Sequence, residues 1–249
     1  MSPPLHPFLD WPEPIPFAHR GGASVASENT LAAFAHAVGL GYRYLETDVH
    51  ATRDGVIVAF HDPDLQRTCG RAGVIGDLAW SEVATARVDG KEPIPLLEEL
   101  LEEFPDVRIN IDCKTDAAVD GLIATVRRTS CIERVCLASF SQARLHRLRR
   151  SLGPEACVAL GPRQIASLRL FGRMPGNLGP AQVPTRSGAV PLVDRRFIQH
   201  CHRVGVPVHV WTIDDPVEMH RLLDLGVDGI MTDRTDLLRD VLLDRGQWR

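Results

Sequence analysis

The sequence predicts a (β/α)8 TIM barrel, and three observations carry that reading. Short β-rich runs recur eight times along the 249 residues, amphipathic helical patterns fill most of the gaps, and polar residues gather at the ends of the first three runs. Alternating strands and helices build a parallel sheet covered by helices, and eight such units close into a barrel whose chemistry sits at the C-terminal ends of the strands. With 44% hydrophobic and 24% charged residues the chain can bury one large core. A single domain over residues 1–249 is therefore expected.

The lead-in MSPPLHPFLDWPEPIP has no basic segment followed by an apolar run, so it reads as an extended, proline-rich approach and not as a signal peptide or anchor. Strands are expected at 15–19, 44–50, 108–114, 134–140, 157–161, 181–184, 207–213 and 229–232. Helices are expected at 30–40, 96–104, 117–129, 142–152, 194–204, 216–225 and 235–244. In the first of these, Leu31, Phe34, Ala35 and Val38 fall at i, i+3, i+4 and i+7, the spacing of one helix face. The run 56–60 follows the second strand too closely for a crossover helix, so it reads as the return limb of a hairpin turning at Asp54-Gly55. Residues 51–95 then form a small capping insertion between the second strand and its following helix, and His61 drops into the barrel mouth. The apolar cluster Leu168, Leu170 and Phe171, with 172–179 after it, reads as a cover over the pocket, lipid contact being the less favoured alternative.

A net charge of -4 and a pI near 6.2 argue against a nucleic-acid binder. No run approaches the roughly 20 apolar residues of a membrane span, so stable membrane insertion is not expected. Six cysteines without C-x-x-C or zinc-ligand spacing suit reduced thiols in a cytoplasmic protein. The oligomeric state is not legible.

The chemistry lies in short motifs: His19-Arg20-Gly21-Gly22, Glu28-Asn29-Thr30, Glu46-Thr47-Asp48, His61-Asp62 and Asp112-Cys113-Lys114. Strand residues alternate sides, so Glu46, Asp48 and His50 share one face, with Glu46 and Asp48 about 6.6 Å apart along it. Asn110, Asp112 and Lys114 share the corresponding face of the third strand. Three carboxylates converging inside a barrel repel unless protonated or bound to a cation. All-oxygen ligation suits one divalent cation, Mg2+ or Ca2+, held by Glu46, Asp48 and Asp112. Three carboxylates, a divalent ion, Arg20 and Lys114 leave one positive charge, which a phosphodiester would neutralise. Arg20 can give forked hydrogen bonds to phosphate, Lys114 a compact charge, and His19 and His61 a proton-transfer pair.

Each motif has a plainer reading beside it. Charged residues at strand ends are often ordinary ion pairs. His50 reads as structural more than catalytic. Glu28 and Asn29 can simply begin the helix at Thr30, with a role for Glu28 in orienting a histidine left open. Arg144, Arg147, Arg149 and Arg150 read as a solvated helix face. Trp211, at the end of the seventh strand, reads as a wall of the pocket.

The chain resembles the glycerophosphodiester phosphodiesterases of the phospholipase-C-like phosphodiesterase barrel superfamily. The resemblance runs from HRGG at 19–22 through ETDVHATRDGVIVAFHD at 46–62 and IPLLEELLEEFPDVRINIDCK at 94–114 to VPVHVWTIDDPVEMHRLLDLGVDGIMTD at 206–233. It implies metal-dependent cleavage of a small glycerophosphodiester into glycerol 3-phosphate and an alcohol. It further implies His19 and His61 as general acid and base, Glu46, Asp48 and Asp112 as metal ligands, Arg20 and Lys114 on phosphate, and Trp211 lining the glycerol pocket. Two positions depart from the pattern. Asp112-Cys113-Lys114 stands where many members carry Glu-x-Lys, and one methylene less weakens the implication of direct ligation by Asp112. Ser27 stands where a proline commonly precedes Glu-Asn-Thr.

Three other functions compete with this one. A lysophospholipase D would use the same groups on a lysophospholipid. A glycoside hydrolase needs two carboxyl groups flanking the scissile bond, whereas Glu46 and Asp48 lie on one strand face. A non-catalytic barrel binding a phosphorylated ligand predicts the loss of a histidine or carboxylate, and none is missing.

Overall fold

The computed structural model describes residues 6–173, 179–188 and 190–249. The barrel strands are β1 (Ile15–His19), β2 (Tyr44–Ala51), β3 (Arg108–Cys113), β4 (Val135–Ala138), β5 (Cys157–Val158), β6 (Ala181–Pro184), β7 (Val208–Trp211) and β8 (Gly229–Thr232). They hydrogen-bond in the order β5-β4-β3-β2-β1-β8-β7-β6, every neighbouring pair parallel. The two ends of this row meet where the Leu160 N–H donates to the Pro180 carbonyl at 3.0 Å. Gly179 makes that closure possible, since a Cβ there would lie 1.9 Å from the Val158 carbonyl oxygen.

Helices α1 (Leu31–Gly39), α2 (Leu97–Glu103), α3 (Ala118–Arg128), α4 (Gln142–Leu152), α5 (Pro162–Phe171), α6 (Arg195–Arg203), α7 (Pro216–Leu225) and α8 (Thr235–Asp244) clothe the barrel. The local sequence dictates their ends. Thr30 Oγ1 accepts the Ala33 N–H and starts α1. Asp215 caps α7, Pro216 occupies its first turn, and Gly226 at φ 92° ends it. The strands alternate as expected. Leu45, Val49, Ile109 and Ile111 pack outward with Phe34, Leu100 and Leu122, whereas Phe17, Tyr44, Cys136, Cys157 and Met231 fill the interior. All six cysteines are free thiols.

Three expectations need correction. The N-terminal approach is not merely extended: a 3-10 turn, Pro7–Leu9, buries Phe8 and Leu9 against the first residues of the strands. The Tyr44 hydroxyl donates to the Phe8 carbonyl at 2.7 Å, and Arg108 stacks on Trp11 and Tyr44. An apolar barrel interior has to be closed from water, and these side chains close its lower end. The second correction is α5, which the sequence reading left without a helix. It starts at Gly161-Pro162, where the Gly161 N–H donates to Gln164 Oε1, and ends at Gly172. Leu168 on it is core, while Leu170 and Phe171 are exposed. Of the stretch 172–179, residues 174–178 lie outside the described residues. Third, α4 is not a purely solvated basic face. Arg144 donates to the Cys113 carbonyl at 2.7 Å and Arg149 to the Val158 carbonyl at 2.8 Å, satisfying carbonyls at strand ends that the sheet leaves unpaired.

Beyond β2 the chain turns at Gly55 and returns as Ile57–Ala59, antiparallel to β2 with Ala59 opposite Val49. Short helices Gln66–Cys69 and Trp80–Val83 follow, and Val58, Phe60, Leu65, Ile75, Val83 and Ile94 make a small core of their own. Among the described residues no helix is long and apolar enough to cross a membrane.

Candidate active site

The register of β1, β2 and β3 lays out the polar residues in two rows. His19 stands beside Glu46 and Glu46 beside Asn110; one step toward the C-terminal ends, Asp48 stands beside Asp112. The inward parity of these strands places all of them, with Lys114, on the wall of a cavity of about 620 Å3 at the barrel mouth. His61, Arg20 and Trp211 line the same cavity. The eight residues to which the family resemblance gives a role, His19, Arg20, Glu46, Asp48, His61, Asp112, Lys114 and Trp211, thus line one cavity, with Asn110 among them.

Each histidine is oriented by a carboxylate. His19 Nδ1 donates to Asp233 Oδ1 at 2.6 Å, and His61 Nδ1 to Asp62 Oδ1 at 2.6 Å. A carboxylate only accepts, so the proton sits on Nδ1 and Nε2 is left for the cavity. His19 Nε2 lies 3.7 Å from Glu46 Oε2. Burial disfavours the His19 imidazolium, but Glu46 and Asp233 outweigh it and raise the pKa. His50 stays structural in its contacts, donating through Nε2 to the His61 carbonyl at 3.0 Å.

The cations hold the carboxylates. Lys114 Nζ lies 2.7 Å from Asp48 Oδ1 and 2.6 Å from Asp112 Oδ2. Arg20, at φ 51°, donates its backbone N–H to Glu46 Oε2 and pairs through Nε with Asp48 Oδ2 at 3.2 Å. Asn29 Nδ2 donates to the same Asp48 oxygen, and Thr47 Oγ1 donates to Asn29 Oδ1. Burial pushes the Asp48 carboxyl up, but Lys114 and Arg20 more than reverse it. Glu46 moves the other way: burial and the Asp48 charge raise it.

A divalent cation fits the donor chemistry here. The oxygens come from three carboxylates, and Asp112 Oδ1 is buried with no hydrogen-bond partner. Among the described residues, however, no three His, Cys, Asp or Glu side chains stand ready to ligate one ion, and Lys114 Nζ lies between Asp48 and Asp112.

Several site residues escaped the sequence reading. Asp233 follows the end of β8 with the inward parity of Gly229 and Met231, which is the signal that could have found it. Arg67 and the bond of Glu28 to Arg20 (3.1 Å) had no such signal; the side-chain partners of Glu28 are Arg20 and Arg67. The far wall is apolar: Leu160, Ile165, Leu170 and Leu192 line it, with Phe140 edge-on to Trp211 at 5.6 Å.

Residues 19–237 match the profile of the Glycerophosphoryl diester phosphodiesterase family. The chain is 42% identical over 244 residues to the probable glycerophosphodiester phosphodiesterase 2 of Mycobacterium tuberculosis, covering 94% of this chain and 92% of that one. It is 30% identical to the human lysophospholipase D GDPD1, over 90% of this chain and 85% of the other. Its fold superposes on a glycerophosphodiester phosphodiesterase from Agrobacterium tumefaciens with a TM-score of 0.74 at 26% identity, covering 90% and 98%. On an Oleispira antarctica phosphodiesterase in complex with the product sn-glycerol-3-phosphate the TM-score is 0.78 at 22% identity, covering 92% and 97%. The chain belongs to the glycerophosphoryl diester phosphodiesterase family, and it is an enzyme of the phosphodiester hydrolase class.

Proposed function

We propose that the chain hydrolyses small glycerophosphodiesters to glycerol 3-phosphate and an alcohol, with His19 and His61 as the general acid and base. The observation that carries this reading is the pair of oriented imidazoles, each fixed at Nδ1 by a carboxylate, on one cavity wall with Arg20 and Lys114. In this reading Arg20 and Lys114 bind the phosphate oxygens. Trp211 walls the glycerol end. One histidine takes a proton from the attacking water through Nε2 as the water oxygen bonds phosphorus, and the other, entering as the imidazolium with a second proton on Nε2, gives that proton to the alkoxide released when the P–O bond to the alcohol breaks. Glu46, Asp48 and Asp112 would hold Mg2+ or Ca2+, which when bound supplies Lewis-acid polarisation of a phosphoryl oxygen and offsets the carboxylate charge. The region 51–95 acts as a cap over a single barrel domain, delivering His61.

A second reading, lysophospholipase D activity, has one observation in its favour. Phe140 and Leu170, 65% and 63% exposed, sit on the apolar side of the cavity mouth, where an acyl chain would find partners.

The test is release of glycerol 3-phosphate from glycerophosphocholine and glycerophosphoethanolamine by EDTA-stripped protein, with Mg2+ or Ca2+ added back and a lysophospholipid in parallel. Metal-restored turnover of the water-soluble diesters is expected. Turnover of the lysolipid alone would transfer the assignment to lysophospholipase D, and silence on every substrate would remove the hydrolytic assignment.

A further inference from the structure

We infer that Arg67 is a positioning residue that holds His61 and Arg20 in one frame, an assignment that rests on the phosphodiesterase reading of the site. Arg67 leaves the short helix Gln66–Cys69 in the region that follows β2. Its Nη1 and Nη2 donate to Glu28 Oε2 and Oε1 at 2.8 and 2.6 Å. Its Nε and Nη2 donate to Asp62 Oδ2 and Oδ1 at 2.5 and 3.1 Å. One guanidinium therefore makes two forked contacts. Each carboxylate it grips has a second partner in the site: Asp62 Oδ1 accepts from His61 Nδ1, and Glu28 Oε1 accepts from Arg20 Nη1. A continuous chain runs from His61 through Asp62, Arg67 and Glu28 to Arg20.

Glu28 lies in the β1–α1 loop and Asp62 after the hairpin, and no backbone bond joins these two segments at the site. Without Arg67 two carboxylates that share its charge would repel and turn to solvent. His61 and Arg20 would then lose the partners that set their orientation. Lysine cannot substitute, because a single ammonium lacks the planar set of donors that spans both carboxylates. Arg67 itself does not line the cavity, so it acts through Asp62 and Glu28. Its side chain is 50% exposed, and pairs this exposed add little to stability. The effect belongs in turnover.

The experiment uses the full, metal-loaded chain with glycerophosphocholine. Arg67→Ala is expected to lower kcat about 10–100-fold, the usual effect of removing an outer partner of a functional group, while the thermal midpoint stays close to that of the native protein. Arg67→Lys is expected to remain impaired, and guanidinium ion at non-denaturing concentration to restore part of the Arg67→Ala loss. In an Asp62→Asn background the Arg67→Ala loss is expected to shrink, since both changes cut one chain. The imidazole 15N spectrum supplies a readout independent of turnover: native His61 holds its proton on Nδ1, and Arg67→Ala gives a mixture of tautomers. Unchanged kcat and KM in Arg67→Ala, full activity of Arg67→Lys, losses that multiply in the double variant, or an unchanged His61 spectrum would overturn the proposal. Native protein inactive on all diesters would sink the substrate reading instead, and the spectrum alone would then decide the role of Arg67. Should Arg67→Ala fail to fold, Arg67→Lys decides through the same kinetics and spectrum.

Discussion

At His19 and His61 the proposed proton transfer depends on which ring nitrogen is free. Asp233 and Asp62 take the Nδ1 proton of each, leaving both Nε2 atoms to the cavity. His19→Ala and His61→Ala are each expected to lower kcat by about two to four orders of magnitude with an unaltered circular dichroism spectrum; native turnover in either would remove that residue from the mechanism. A different histidine contributes to the pH dependence of stability. His209 is fully buried, has no hydrogen bond at either nitrogen, and lies 5.0 Å from the ring of Phe17. Burial holds its pKa down to about 4, against an ordinary 6.5. Between those values the unfolded chain binds a proton that the folded one refuses. The contribution to stability is therefore complete above pH 6.5 and is lost as the pH falls toward about 4, by at most ~1.4 kcal/mol per pH unit. Urea midpoints of His209→Leu, which cannot titrate, should fall less steeply across that range than those of the native chain.

At the scale of elements, strands were more legible than the pieces between them. The hydrophobic alternation of β2 and β3 sets which side chains face inward, and the cavity lining follows that parity. Helix α5 was missed because Gly161-Pro162 reads equally as turn punctuation or as a helix start with proline in its first turn. Its identity as a helix depends on Ile165 and Leu168 finding a core to pack against. Barrel closure turns on one position nearby. Gly179→Ala would place a methyl against the Val158 carbonyl and is expected to cost about 1–3 kcal/mol, the range for overpacking. A urea midpoint equal to that of the native chain would show that β5 and β6 can separate freely.

At the scale of the whole molecule, the apolar cluster around Phe8 and the cavity proposed to be the active site lie at opposite ends of the barrel. Phe8 is buried at the lower end, in ring contact with Phe17 and Tyr44 at 6.3 and 5.4 Å. Phe8→Ala is expected to destabilise by about 3–5 kcal/mol, the range for emptying a packed aromatic site, while kcat/KM at a temperature where the protein stays folded remains within twofold. A large loss of activity in the folded variant would show that the lower end reports to the mouth. This division is the ordinary one for barrels, whose lower face stabilises and whose upper loops react.

The sequence by itself determined the barrel, its eight strands, the inward parity of Glu46, Asp48, Asn110, Asp112 and Lys114, and the approach of His61 on a hairpin. Those features depend on periodicity and turn chemistry, which are local and written into consecutive residues. Tertiary structure alone decided that Asp233 orients His19 across 214 positions, that Arg67 joins Glu28 to Asp62, and that Phe8 stoppers the lower end. Such contacts join residues distant in the chain, where no spacing rule applies. They are chosen by the need to pair buried charge and to cover apolar surface once the strands have closed.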